Sequence, residues 1–462
     1  MTLFAKAVYY WHGFSRGSVN RRIFYAMTII MAGTAAVKVA AVAKDIVIAR
    51  SFGLGDELDA FFIALVIPTF AGMVLAQSFN GAFMPAYIRA REQEGIGAAN
   101  RLFAHVMVLS FLILLACTLL LAVAGEPLLR LIVSEFSVEK RALVHELYLL
   151  LLPSLVITGQ LYLWAAVLNA GEKFALVALA PILTPAMMIV LLLAFGGSNG
   201  VPISVLAWAT VIGAAAELVV IGVALARRGL LPVPKWHGNS GEARHMLHQY
   251  VPLALSAVLM SGSTVIDQAM ASWLGSGSVS ALNYGHKIPA FLSEIGVMAL
   301  GTAVLPHFSR LVAAGSHREL RHTMVTYARW ILMITVPLTI AFIVASEWII
   351  RIAFERGAFG AEDTALVSRV QQMYLLQVPF YALGILGVRL LVAMSKSHLL
   401  TIMALVNIVV NVLGNIVFMR WFGVSGIALS TSVVYILSML MILVMVMRSL
   451  SELETQQGRA TV

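Results

Sequence analysis

Runs of 18 or more largely apolar residues recur along this chain, and no other feature restricts its fold so tightly. A helix needs about 20 apolar residues to cross the hydrocarbon of a bilayer. Inside that hydrocarbon no water pairs with backbone N–H and C=O groups, so only helices and closed barrels can span it. A barrel would show segments of roughly ten residues with alternating polarity, and these are absent. Composition agrees: 60% of the 462 residues are hydrophobic and 11% are charged. A soluble domain carries about 25% charged residues. The mean hydropathy is +0.92. The fold class is all-α integral membrane.

Spans are expected near 23–48, 58–83, 102–124, 143–168, 174–195, 203–226, 249–274, 287–306, 326–346, 366–394, 398–419 and 425–447. The second and eighth are rich in Gly, Ser, Ala, Asn and Gln, as suits helices facing a bundle interior. With the N-terminus inside, the larger share of the 31 Lys and Arg falls on cytoplasmic segments. Both termini are therefore expected in the cytoplasm, with an even helix count. Lys6, Arg16, Arg21 and Arg22 precede a full-length span without a cleavage site, so the first helix reads as a retained anchor.

An internal repeat organises the spans. Ala60, Pro68, Phe70, Ala82, Pro85 and Arg89 recur at one offset as Ala281, Pro289, Phe291, Ala303, Pro306 and Arg310. Asp45, Ala49, Gly53 and Gly55 recur one residue out of step as Asp267, Ala271, Gly275 and Gly277. The chain thus divides into a cytoplasmic N-tail (1–22), a six-helix half (23–226), a cytoplasmic connector (227–248), a second six-helix half (249–447) and a polar C-tail (448–462). Six is even, so the halves share orientation as a parallel pseudo-repeat. That predicts a V-shaped bundle around a central cavity, suited to alternating access.

The net charge of +9 is explained by cationic loops. No basic stretch is interleaved with aromatics, which argues against nucleic acid. The single cysteine, Cys117, excludes an internal disulfide and a multi-cysteine metal site. His145-Glu146 lacks the second histidine of a zinc helix, His317 and His322 sit in a basic loop, and no GxxxxGK[ST] motif occurs. The chain reads as a carrier and not an enzyme, with no cofactor. Its energy is expected from an ion gradient, the membrane potential or the substrate's own gradient.

A charge at a helix centre costs about 2.5–3.5 kcal/mol on insertion scales, so buried ionisable groups carry the functional information. Lys38 lies near the middle of the first span, with Lys44 and Asp45 one to two turns further out. Either Lys38 and Asp45, seven apart on one face, form a structural ion pair, or Lys38 and Lys44 line a cavity for an anionic head group. Lys287 and Arg389 add two cations, and four facing one cavity would suit a phosphate or pyrophosphate. Asn407, Asn411 and Asn415 form one polar stripe, open to two readings: interhelical hydrogen bonding, or an ion site built with Asp267 and Thr431. Glu217 and Glu294 are further acids, either proton sites or partners for the cations.

At these residues the chain resembles the MurJ/MviN lipid II flippases, within the multidrug/oligosaccharidyl-lipid/polysaccharide exporter superfamily. The matching stretches are Lys44-Asp45 through Phe52-Gly53-Leu-Gly55, Asp59-Ala-Phe-Phe62, Ala82-Phe-Met-Pro85, Ala271-Ser-Trp-Leu-Gly275 through Tyr284, Ala299-Leu-Gly-Thr302 through Pro306, Phe354-Glu-Arg-Gly-Ala-Phe359 and Gly426-Ile-Ala-Leu-Ser-Thr431. The resemblance implies an inner-membrane flippase with a cationic cavity for the pyrophosphate-sugar head of a polyprenyl-linked glycan. Its surroundings are membrane lipids and enzymes of envelope glycan synthesis. It implies substrate-binding roles for Lys38, Lys44, Asp45, Lys287 and Arg389, and a sodium site at Asp267, Asn407, Asn411 and Thr431, with sodium or a proton as coupling ion.

The chain also departs from the family. Paired arginines expected after Pro68 are missing, and Gln77 stands near an expected glutamate. Lysine replaces arginine at cavity positions, losing the planar fork that grips phosphate. Asn411 occupies a place where an acid is expected, and the family's usual fourteen helices are matched here by twelve. These departures suggest a paralogue whose cargo is lipid II or a polysaccharide repeat unit. The competing readings are a cation-coupled exporter of drugs or metabolites, which needs a cavity of acids and aromatics, and a scaffold for envelope enzymes, which needs no cavity.

Overall fold

The computed structural model describes residues 19–171, 173–196, 200–230, 241–396 and 398–460. Side chains are described over the same ranges except 19–27, 76, 77, 80, 131, 241–249, 251, 260, 295–303, 317 and 453–460. Most of the expected N-tail and the middle of the connector lie outside the described residues.

The described chain is all-helical. Its helices are α1 (Val19–Phe52), α2 (Asp56–Gly72), α3 (Ser78–Gln93), α4 (Ile96–Ile132), α5 (Val138–Leu151), α6 (Pro153–Ala170), α7 (Phe174–Leu179), α8 (Leu183–Phe195), α9 (Ile203–Ala226) and α10 (Gly241–Ser272). They continue as α11 (Ser278–Ala313), α12 (His317–Phe354), α13 (Ala361–Leu375), α14 (Gln377–Ala393), α15 (His398–Phe422) and α16 (Val424–Ala460). Each of the twelve expected spans falls on one helix or on consecutive helices.

Proline explains two of the breaks within spans. Pro153 opens α6, where its missing N–H costs nothing, and so divides the fourth span from α5. Pro181 lies in a 3-10 turn between α7 and α8 (Ala180–Ile182). The second span is interrupted without a proline at the break: a π-helical turn (Met73–Gln77) separates α2 from α3. Such turns are rare and gather at functional sites.

Ten helical segments among the described residues are long and apolar enough to cross a membrane. The second expected span passes over Asp56–Leu75. The two expected spans that do not reach this mark lie on α1 and α11, which carry Lys38, Lys44 and Asp45, and Lys287 and Glu294. The charges on these two helices carry an insertion cost that the bundle must offset, as do Asp267, Glu217 and Arg389 on helices that reach the mark.

The chain forms two compact units. Of the described residues, unit 1 holds those within 19–51, 67–127 and 145–257, and unit 2 those within 52–66, 128–144 and 258–460. In unit 1, α9 packs on α8 and α6, around a core that includes Phe83, Phe103, Leu163 and Leu225. In unit 2, α16 packs on α13, α14 and α15, and α11 packs on α13 and α14. Its core includes Phe308, Leu386, Leu390 and Ile442. Segments 52–66 and 128–144 come from the first half of the sequence yet cluster with the second half.

Candidate functional site

The repeat pairs Asp45 with Asp267, and the two buried aspartates have different partners. In unit 1 the carboxylate of Asp45 lies 2.9 Å from the ammonium of its neighbour Lys44. Lys44 and Asp45 thus form an ion pair between chain neighbours on α1. Lys38, on the same helix, is half-buried.

In unit 2 the hydrogen-bond donors to Asp267 among the described residues are neutral. Its Oδ1 accepts from Asn411 Nδ2 at 3.1 Å and from Asn415 Nδ2 at 2.7 Å. Its Oδ2 accepts from the hydroxyl of Thr431 at 3.3 Å. The asparagine stripe is therefore split. Asn411 and Asn415 turn to Asp267, whereas Asn407 accepts from Ser438 Oγ at 2.8 Å. Three of the four residues expected at an ion site come together, and Asn415 joins them where Asn407 was expected.

The donor set fits a small hard cation. Asp267 supplies a buried charge, and the side-chain oxygens of Asn411 and Asn415 are both buried and without a hydrogen-bond partner. Half a turn of each amide about its last bond would exchange nitrogen for oxygen on the Asp267 side. That would present carboxylate, amide and hydroxyl oxygens together, the ligands that such ions take in transporters.

The cations of unit 2 lie at different depths. His286, next to Lys287, packs at a tilt against Tyr374 with ring centroids 4.8 Å apart. Arg389 comes fifteen residues after Tyr374 along the α13–α14 run, roughly 22 Å further along the axis at the usual rise per residue. A single phosphate cannot touch both at once. Both side chains are half-buried, and Arg389 Nε is buried without a partner.

The other candidates separate by role. Glu217 is buried in α9, where its Oε1 accepts from Thr184 Oγ1 at 2.5 Å and from the Thr184 N–H at 3.3 Å. Thr184 stands just past the 3-10 turn, so Glu217 stitches a broken helix. Glu294 is exposed. Gln77 closes the π-helical turn, and its side chain lies outside the described ones.

Sequence reasoning missed one buried centre. Asp59 in the first turn of α2 is 1% exposed. Its Oδ2 accepts from the Gly277 N–H at 2.8 Å, and its Oδ1 accepts from Ser280 N at 2.8 Å and Ser280 Oγ at 2.7 Å. Helix α11 begins after Gly277, at φ +81°, with no capping side chain of its own. A carboxylate from α2 thus caps α11 and opposes its dipole. Asp59 and Ser280 occupy equivalent places in the repeat, so this contact joins corresponding points of the two halves. The repeat offset was the signal that could have found it.

More contacts surround the cap. Lys140 Nζ lies 2.6 Å from Asp56 and 3.4 Å from Asp59. Ser272 Oγ donates to the Ile132 carbonyl at 2.6 Å. Phe62, Tyr284, Phe354 and Phe359 form an aromatic cluster. Gly53, at φ +59°, has no room for a Cβ, which would stand 2.4 Å from the Ala358 carbonyl oxygen. Together these contacts form a closed cluster within unit 2, a seal between segments from the first half of the sequence and the second.

A multi-span helical protein with an internal sequence repeat and ionisable side chains on its apolar helices belongs to the class of polytopic α-helical membrane proteins. The family model described as "Lipid II flippase MurJ" matches residues 48–462, and the chain belongs to that family. It is 28% identical over 352 residues to a probable lipid II flippase MurJ of Rhizobium tropici, covering 74% of this chain and 65% of that protein. It is 25% identical over 427 residues to the lipid II flippase MurJ of Burkholderia cenocepacia, covering 89% of this chain and 81% of the relative. The match thus spans just under two thirds of the first relative's length. Among solved structures, "Lipid II flippase MurJ, inward closed conformation" aligns with TM-score 0.77 at 24% identity, over 92% of this chain and 90% of that one. An inward-facing multidrug resistance MATE family transporter aligns with TM-score 0.76 at 16% identity, over 91% of this chain and 96% of that one. Both show the fold.

Proposed function

We propose that this chain is a flippase that carries a polyprenyl-pyrophosphate-linked cell-wall precursor of the lipid II type across the inner membrane by alternating access. The observation that carries the reading is the family match over residues 48–462. The separated depths of Lys287 and Arg389 support a path on which an anionic head meets cations in succession and not in one cage. Transport needs no covalent chemistry; the protein's part is to desolvate, guide and release the head group. With both termini read as cytoplasmic from the distribution of Lys and Arg, the seal around Asp59 falls on the outer side. Asp267 with Asn411, Asn415 and Thr431 is assigned to the coupling cation, sodium or a proton.

Depletion followed by mass spectrometry of polyprenyl-linked lipids tests the cargo. Accumulation of lipid II is expected. Accumulation of a lipid-linked polysaccharide unit alone would assign the chain to the second cargo suggested by the missing arginines. No change in either would overturn the reading.

A further inference from the structure

The seal holds an ionised group that its own hydrogen bonds do not neutralise. Three neutral donors from Gly277 and Ser280 satisfy Asp59 in geometry, but its negative charge is buried all the same. An ionised carboxylate taken from water costs several kcal/mol unless a counter-charge accompanies it. Lys140, in the first turn of α5, is placed to be that charge. Its side chain is 9% exposed and lies over the Phe136 ring, 3.8 Å from the centroid. The ammonium is shared between Asp59 and Asp56, whose side chain is 61% exposed. The pair with exposed Asp56 is largely screened by water, whereas the interaction with Asp59 crosses a less polar medium and is stronger.

We infer that Lys140 is a positioning residue of the transport cycle, the counter-ion that lets the seal close over Asp59. It acts through Asp59 and touches no cargo. Asp56, Asp59 and Lys140 all come from the first half of the sequence, whereas Gly277 and Ser280 come from the second. When the halves part at the seal, the three charges stay together and water reaches them, so their mutual attraction falls. Lys140 therefore favours the closed seal selectively. This inference rests on the alternating-access reading above, and it does not depend on which lipid-linked glycan is carried.

Ser272 offers a probe. It is 1% exposed, and its hydroxyl reaches the Ile132 carbonyl across the seal. In a Cys117→Ser background, which removes the only native cysteine, Ser272→Cys should react with a membrane-impermeant maleimide added outside only while the seal is open. Labelling is measured in intact cells and normalised to the thiol exposed on denaturation. Lys140→Met should raise the labelling rate about tenfold, the equivalent of one charge-assisted hydrogen bond. Lys140→Arg should leave it near the starting rate.

The decisive arm combines Lys140→Met with Asp59→Asn. With the carboxylate gone, the lysine has nothing to neutralise, so the Met substitution should add no further increase. An unchanged rate in Lys140→Met overturns the inference. So does an equal rise in the Asp59→Asn background, which would make Lys140 a packing residue only. Lys140→Gln carries the same test if the Met variant does not accumulate. A wrong cargo assignment would show in the lipids that accumulate on depletion and would leave these rates untouched.

Discussion

Replacing Asp267 with asparagine separates a cation centre from a hydrogen-bonded staple. The substitution keeps the shape of the side chain and retains one oxygen to accept from Asn411 and Asn415. It turns charge-assisted hydrogen bonds into neutral ones, a loss of about 1 kcal/mol each. Relief from burying a bare carboxylate offsets that loss, so the variant should fold with a stability within about 2 kcal/mol of the parent. What it removes is the charge that attracts a cation. A ligand present at a hundred times its Kd stabilises the folded state by about 2.7 kcal/mol. Thermal unfolding of purified protein in sodium chloride, compared with choline chloride at equal ionic strength, reads this directly. The parent should melt several degrees higher in sodium, and Asp267→Asn should melt at one temperature in both salts. If the variant keeps the parent's sodium response, the cation is bound elsewhere. A parent indifferent to sodium but stabilised at lower pH would assign the centre to a proton.

Substitutions at four other positions follow from the geometry. Lys38→Ala and Arg389→Ala should each abolish complementation of a depleted strain at normal protein level, with Arg389→Lys partly active; full activity of both alanine variants would remove the cations from the transport path. Gly53→Ala should lower the melting temperature by an amount equivalent to at least about 2 kcal/mol, because a Cβ meets the Ala358 carbonyl and the backbone is left-handed. Glu217→Leu should destabilise by about 2–3 kcal/mol through the orphaned Thr184 N–H and hydroxyl, with Glu217→Gln milder; equal stability of all three forms would show that the helix break needs no stitch.

Much of this architecture is legible in the sequence because the bilayer imposes it. Span length is fixed by hydrocarbon thickness, breaks such as that at Pro153 by a missing N–H, and pseudo-symmetry by the recurrence of Asp45 as Asp267. Tertiary choices are less visible. A helical stripe cannot say that Asn415 turns to Asp267 while Asn407 turns to Ser438, since both lie on one face and the partner helices decide. A count of cations cannot show that Lys44 is tied to Asp45 or that Lys287 and Arg389 stand at different depths. The cap on α11 was hidden for a related reason: Asp59 looks like an ordinary acid in a first turn, favourable to its own helix dipole. Only the fold shows that it serves a helix more than two hundred residues away. The π-helical turn at Met73–Gln77 has no proline to announce it.

The activity proposed for this chain is transfer of a lipid-linked anionic head across a membrane. It is tested most directly with the purified chain in liposomes that carry a fluorescently headed lipid II and an impermeant quencher outside. Head groups that start on the inner leaflet should become quenchable when the chain is present, and Arg389→Ala should slow this to the rate of protein-free liposomes. Equal quenching with and without the protein, or transfer undisturbed in Arg389→Ala, would contradict the account.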